Sequence, residues 1–188
     1  MKIGHSPLGV QQAFLTAILL GGLCDPAAAT PQSTLIDGAL LAAPAAQRDG
    51  ATIVLDMPGA KRVILRQGTN DMICRANTLK NGFNTICYPK ALDAFWTRNA
   101  VLTQEGKTDA QIRDALAEDV RAGRVQAPVG ATTYEMVGGS QESSLPHMAV
   151  FLPNATAQSS GLPDQWDHFR PWLMWAGTPV AHTMIPGK

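Results

Sequence analysis

Residues 51–74 read ATIVLDMPGAKRVILRQGTNDMIC, and they decide the class of fold. Ala51 to Met57 carries Thr52, Ile53 and Val54 in succession, and β-branched side chains pack better on a pleated strand than on a helix. Pro58-Gly59 follows as a turn signal and Lys61 to Gln67 as a second extended run, so the two predict a β-hairpin. Gly68-Thr69-Asn70-Asp71 marks another turn, and Met72 to Arg75 a third, short strand.

Downstream, the segment between Cys74 and Cys87 is polar and contains Asn81-Gly82, a pair suited to the positive φ angles of a tight hairpin turn. A strict two-residue loop there would set Cys74 opposite Pro89, not Cys87. The connection is therefore either a longer loop or an irregular loop stapled by a disulfide, and the stapled loop is the expectation. Helical spacing begins after Pro89, with Leu92, Phe95, Trp96, Asn99 and Leu102 recurring through Ala91 to Leu102. Thr108 to Arg121 is the clearer helix. Thr108 suits the N-cap with Gln111 three residues on, Ile112, Leu116 and Val120 form an apolar stripe, and Gly123 stands where the helix should end. Extended structure returns at Thr132 to Val137 and Met148 to Leu152, and Pro171 to Ala176 and Val180 to Ile185 flank Gly177-Thr178-Pro179 as a hairpin. Strands, two helices, then strands predict an α+β fold: a small antiparallel β-sheet, two helices in the middle of the chain and one disulfide-stapled loop.

The first 29 residues read as an export signal. Lys2 supplies the positive start, Ala13 to Leu23 an uncharged apolar run, and Ala27-Ala28-Ala29 the small residues of a cleavage site, so the mature chain is expected to begin at Thr30. The run is too short for a bilayer span, which needs about 20 residues. A lipid-anchored reading of Cys24 meets a bulky Leu23 where a small residue is wanted. The expected organisation is a signal peptide over 1–29, a flexible N-terminal segment over 30–50 with a short helix near Leu35 to Ala43, and a single α+β domain over 51–188. Cleavage leaves Cys74 and Cys87 as the cysteine pair. Exported proteins meet oxidising conditions, so a structural disulfide is expected, with two buried thiols as the alternative. Of 188 residues, 15 are basic and 15 acidic. The leader holds one of each, Lys2 and Asp25, so the mature chain also carries no net charge. Such a chain has no general attraction for nucleic acid or an anionic membrane, and no later stretch is apolar enough to span one.

Three groups of residues carry candidate chemistry. His147, Met148, His182 and Met184 offer imidazole and thioether ligands for copper or zinc. His182 and Met184 would share one strand face. Against a metal stand the absence of any H-x-H, H-E-x-x-H or C-x-x-C spacing and the usual role of methionine as a core filler. Asp164, Asp167 and His168 could supply an acid–base pair, although neighbours such as Asp167 and His168 point apart on a strand. Trp166, Phe169, Trp172 and Trp175 crowd into ten residues. In a strand, Trp172 and Met174 would face one side and Trp175 the other, leaving one indole free for binding. No serine sits in G-x-S-x-G, and Gly138-Gly139-Ser140 lacks the ending of a phosphate loop.

Val63 to Cys74 (VILRQGTNDMIC) and Pro171 to Pro186 (PWLMWAGTPVAHTMIP), with Pro146-His147-Met148 and Val150 to Asn154, resemble the hallmarks of a family of exported bacterial proteins. In that family a Leu-Arg-x-Gly-Thr-Asn segment precedes a cysteine, with a second cysteine downstream. The chain departs from the pattern at Asp71-Met72, where the family has glycine followed by an aromatic, and at Leu145, where it has glycine. The resemblance implies export and attaches no activity, cofactor or site residue. The leading reading is an exported, periplasmic or secreted, non-catalytic domain that binds a small ligand or an envelope protein and uses no cofactor. A copper- or zinc-handling protein and a hydrolase around Asp164 to His168 are the alternatives. Intact-mass analysis of protein recovered from cells is expected to place the N-terminus at Thr30 and to find Cys74 and Cys87 closed to alkylation until reduced. A chain that keeps Met1 and alkylates at both thiols would contradict the export reading.

Overall fold

The computed structural model describes residues 31–59, 61–79 and 81–187. The expected leader, with Cys24 and the cleavage point Ala29/Thr30, lies outside the described residues. The elements are α1 (Gln32–Leu40), β1 (Thr52–Met57), β2 (Lys61–Arg66), β3 (Met72–Arg75), β4 (Phe83–Pro89), α2 (Asp93–Gln104), α3 (Asp109–Arg121), β5 (Thr132–Gly138), β6 (Leu145–Phe151), α4 (Ala157–Ser160), β7 (Trp172–Met174) and β8 (His182–Pro186). The strands form one sheet in the order β2-β1-β3-β4-β5-β6-β8-β7. The α+β expectation holds at this level, but the sheet is eight-stranded rather than small. It is also not wholly antiparallel, because β1 pairs with β3 in parallel, Thr52 beside Ile73 and Ile53 beside Cys74. The two expected helices are α2 and α3, and α3 has the capping box of Thr108 and Gln111. Two further helices, α1 and α4, stand outside that middle stretch.

The parallel pair follows from a short crossing. The hairpin lays β2 antiparallel along β1, and β3 must then reach β1's other edge within residues 67–71. The chain passes over the start of β1, where the amides of Thr69 and Asn70 donate to the Gly50 carbonyl at 2.8 and 3.0 Å. The Gly68 amide donates to Thr52 Oγ1 at 3.1 Å. The Asn70 side chain donates to the Gln47 carbonyl at 2.8 Å and accepts from the Met72 amide at 2.9 Å. Gly68 is required here by close approach: a Cβ would fall 2.3 Å from the Gly50 carbonyl oxygen and 2.4 Å from the Thr52 amide nitrogen.

Cys74 and Cys87 are bridged and stand directly opposite one another on β3 and β4. The expected disulfide staple is present, and the segment it closes is a β3–β4 hairpin with a longer loop rather than an irregular one. Residues 76–82 absorb the offset that a two-residue turn could not, with Asn77 Oδ1 accepting from the amides of Leu79 and Asn84 at 3.2 and 3.1 Å. A cross-link of this loop length contributes about 3 kcal/mol in the chain-entropy model.

Each face of the sheet has its own cover. Val54, Ile73, Tyr88 and Phe151 pack under Leu92, Phe95, Leu102, Ile112 and Leu116 from the α2–α3 side. The Phe95 and Phe151 rings meet edge to face, 5.1 Å apart. Ile53, Met72, Cys74 and Cys87 lie on the opposite face against Ala39 and Ala43. The short helix expected within the N-terminal segment is α1, which begins three residues earlier than read, at Gln32, and closes this second core. Its fully buried residues are small, Gly38 and Ala39, so the helix lies close to the sheet, and Leu35, Ile36 and Leu40 pack around them. Among the described residues no helix is long and apolar enough to cross a membrane.

Gly68→Ala is expected to lower the unfolding free energy in urea by about 3 kcal/mol, the upper end for forcing atoms into a packed site. Gly139→Ala should stay within about 0.5 kcal/mol, since the added Cβ would meet nothing nearer than Ser143 Oγ at 3.8 Å.

Candidate functional site

The far end of the sheet holds a cleft of about 190 Å³. β6 supplies Leu145, Pro146 and His147, β8 supplies Met184 to Pro186, β7 supplies Trp172, and the loop before β7 supplies Trp166, Asp167 and His168. Strand register explains why side chains so distant in sequence meet. Met184 pairs with Ala149 on one side and with Trp172 on the other, and His147 pairs with Pro186. By alternation, His147, Met184 and Trp172 therefore share a face.

The loop is held by its own contacts. Asp167 Oδ1 accepts from the Phe169 amide at 2.8 Å and the Arg170 amide at 3.2 Å, and Arg170 Nε donates to Asp167 Oδ2 at 2.9 Å. The bond from the Phe169 amide, then the Arg170 guanidinium, holds the Asp167 carboxyl below its ordinary range. The Trp166 and His168 rings pack against each other with centroids 3.7 Å apart, and the Leu173 amide donates to the Pro163 carbonyl at 2.7 Å, tying the loop's start to β7.

His147 is paired across the strands with Glu135, its register partner, with Nε2 3.1 Å from Oε2. The Glu135 bond raises the imidazole pKa above its ordinary value, and partial burial opposes the rise. His182 is shifted the other way by burial. Its Nδ1 donates to the Val180 carbonyl at 2.9 Å, and its ring packs between Phe151 and Trp175 at 5.3 and 5.1 Å.

The sequence candidates separate accordingly. His147 and Met184 line the cleft. Met148, paired with Tyr134 and Ile185, lies on the opposite face. His182 pairs with Phe151, four positions along β6 from His147, or about 13 Å along the strands. The four proposed ligands thus do not converge, and among the described residues no three His, Cys, Asp or Glu side chains are grouped to hold a metal ion. Asp167 and His168 both reach the cleft, but Asp167 is engaged with Arg170 and the loop amides. Among the described residues no hydrogen bond joins His168 to Asp164 or Asp167. Trp172 and Trp166 line the cleft. Trp175 leaves the strand with φ 57° and packs on the α2–α3 core, not on the opposite face as strict alternation predicts.

Glu135 was missed by sequence reasoning. Alternation in TTYEMV puts it on a face, but only the register reveals the imidazole opposite. Glu135 also lines a separate polar cavity of about 280 Å³ beneath α2, with Arg75, Trp96 and Asn99. No family model, curated protein or solved structure matches the chain.

The His147–Glu135 pair should be visible in an NMR titration. The His147 midpoint is expected above the ordinary histidine value of about 6.5, and Glu135→Gln should bring it below, because the desolvation that remains disfavours the imidazolium. The pair's contribution to stability is then complete below about pH 6.5 and is lost as pH rises through the raised native value. A midpoint unchanged by Glu135→Gln would refute the pairing.

Proposed function

We propose that this chain is an exported domain that binds a small ligand in the cleft between β6, β8 and the loop carrying Trp166 to His168, without transforming it chemically. One observation carries the reading. Residues singled out for three separate reasons (His147 and Met184, Asp167 and His168, Trp166 and Trp172) line the same cavity. A concave site with aromatic walls and a few polar groups is the usual form of a small-molecule site. Its volume of about 190 Å³ falls below the roughly 300–1,000 Å³ of drug-sized pockets, which suits a ligand of about one ring. The disulfide is consistent with an oxidising compartment, and the apolar leader ending in three alanines supports export.

Binding without catalysis fits the state of the ionisable groups. Asp167 is committed to its loop, His147 Nε2 is spent donating to Glu135, and no nucleophilic serine or cysteine lines the cleft among the described residues.

Screening by ¹H–¹⁵N NMR with neutral, cationic and aromatic one-ring fragments is expected to move the indole resonance of Trp172 and the amides of Met184 and His147 together. Trp172→Ala should weaken the affected fragments about tenfold, as expected for removing an aromatic wall. Shifts that cluster elsewhere, or no shifts at all, would defeat the reading.

A further inference from the structure

Three aromatic side chains recur every three residues at and beside this cleft: Trp166, Phe169 and Trp172. Trp172 is half-buried in the wall, Trp166 is 63% exposed and Phe169 is 91% exposed. Exposing a ring of this size forfeits roughly 1.5–3 kcal/mol relative to burying it, and Phe169 has no backbone role that needs an aromatic. The two rings are nevertheless presented on a braced loop. Asp167 fixes the turn through two backbone amides and Arg170, and the imidazole of His168 packs against the Trp166 indole. Pre-ordering of this kind lowers the entropy lost on binding.

The electrostatics of the cleft narrow the ligand class. Its carboxylate, Asp167, is neutralised by Arg170 at 2.8 Å. One of its two imidazoles, His147, is paired with Glu135 at 3.1 Å. A charged ligand would therefore find the carboxylate and one of the two imidazoles already engaged, with only the His168 ring outside an ion pair among the described residues. A purely apolar ligand would desolvate both imidazoles without replacing their hydrogen bonds. What fits is a neutral molecule that has a flat face of C–H groups to lie on an indole and hydroxyls around its edge for the imidazoles and strand carbonyls. A sugar ring has that chemistry.

We infer that the cleft seats one residue of a neutral glycan against Trp172, and that the chain continues outward over Trp166 and Phe169. This rests on the ligand-binding reading above and adds the ligand class and the direction in which it extends. It predicts a dependence on chain length: the cleft reads one ring, and each exposed aromatic adds a stacking contact to a longer oligomer.

The test is calorimetric and fluorescence titration of the mature protein with glucose, N-acetylglucosamine, and the β-1,4-linked hexasaccharide of each. At least one hexasaccharide is expected to bind about tenfold or more tighter than its monosaccharide, as one or two added stacking contacts imply. Phe169→Ala, a fold-neutral change at so exposed a position, should reduce that advantage to the share Trp166 supplies while leaving the monosaccharide affinity in place. Trp172→Ala should abolish both, and Trp172→Phe should retain part, which separates loss of stacking from loss of fold. Equal affinity for monomer and hexamer, no glycan binding, or binding instead to phosphatidylcholine vesicles through the exposed rings would overturn the glycan inference. Cleft resonances that still answer to other fragments would leave the binding reading standing, whereas fragments that miss the cleft would remove both.

Discussion

The chain must carry β3 to the far edge of β1 within a handful of residues, and it does so by lying across the backbone at Gly50 to Thr52. Gly68 passes so close that no side chain fits there, and both amides that follow it are used on the Gly50 carbonyl. That crossing sets β3 parallel to β1 in a single register. The register places Cys74 opposite Cys87, β4 then pairs with β5, and β5 with β6. The cleft at the other end of the sheet is therefore positioned by a ladder whose first rung is a backbone contact. A slip by one residue would turn every side chain on the affected strand to the opposite face, His147 and Met184 included.

The least exposed charges are held in ion pairs between elements. Asp56 on β1 accepts from Arg62 Nε at 2.9 Å and is also paired with Arg75, while Arg62 reaches Asp93 and Thr97 on α2, each at 2.7 Å. Asp119 is bracketed in the same way by Arg98 and Arg124 at 2.9 and 2.6 Å, and those two guanidiniums hold its carboxyl below the ordinary range against the opposing effect of desolvation. Burying a charge with its partner is close to neutral for stability, whereas removing one partner is expensive. Such networks thus fix the arrangement of the helices on the sheet more than they raise stability. The pairs at the cleft, Asp167 with Arg170 and His147 with Glu135, follow the same pattern.

Much of the site was legible in sequence as residue types, but not as a constellation. His147, Met184, Trp172 and His168 were visible because imidazoles, thioethers and clustered indoles stand out in a chain with few of them. Met148 and His182 drew the same notice, and the structure sends them elsewhere. Met148 is one residue from His147 and so points to the other face, and His182 lies where the Phe151 and Trp175 rings close over it. Glu135 had no signal of its own, because a carboxylate on an alternating strand looks solvated until the neighbouring strand is known.

Local chemistry is what the sequence by itself determined: the β1–β2 hairpin from β-branched runs around Pro58-Gly59, the capped α3 from Thr108 and Gln111, the paired cysteines, and the closing β7–β8 hairpin. Each depends on interactions within a few residues, whose propensities and turn geometries are written in the side chains themselves. Only the tertiary structure decided that the sheet has eight strands, that one pair is parallel, that α1 seals the second face, and that three unrelated groups of side chains share one cleft. Those outcomes rest on contacts between residues far apart in the chain. There the deciding quantities are strand register and the closeness of backbone approach, and neither is recorded in any short stretch of sequence.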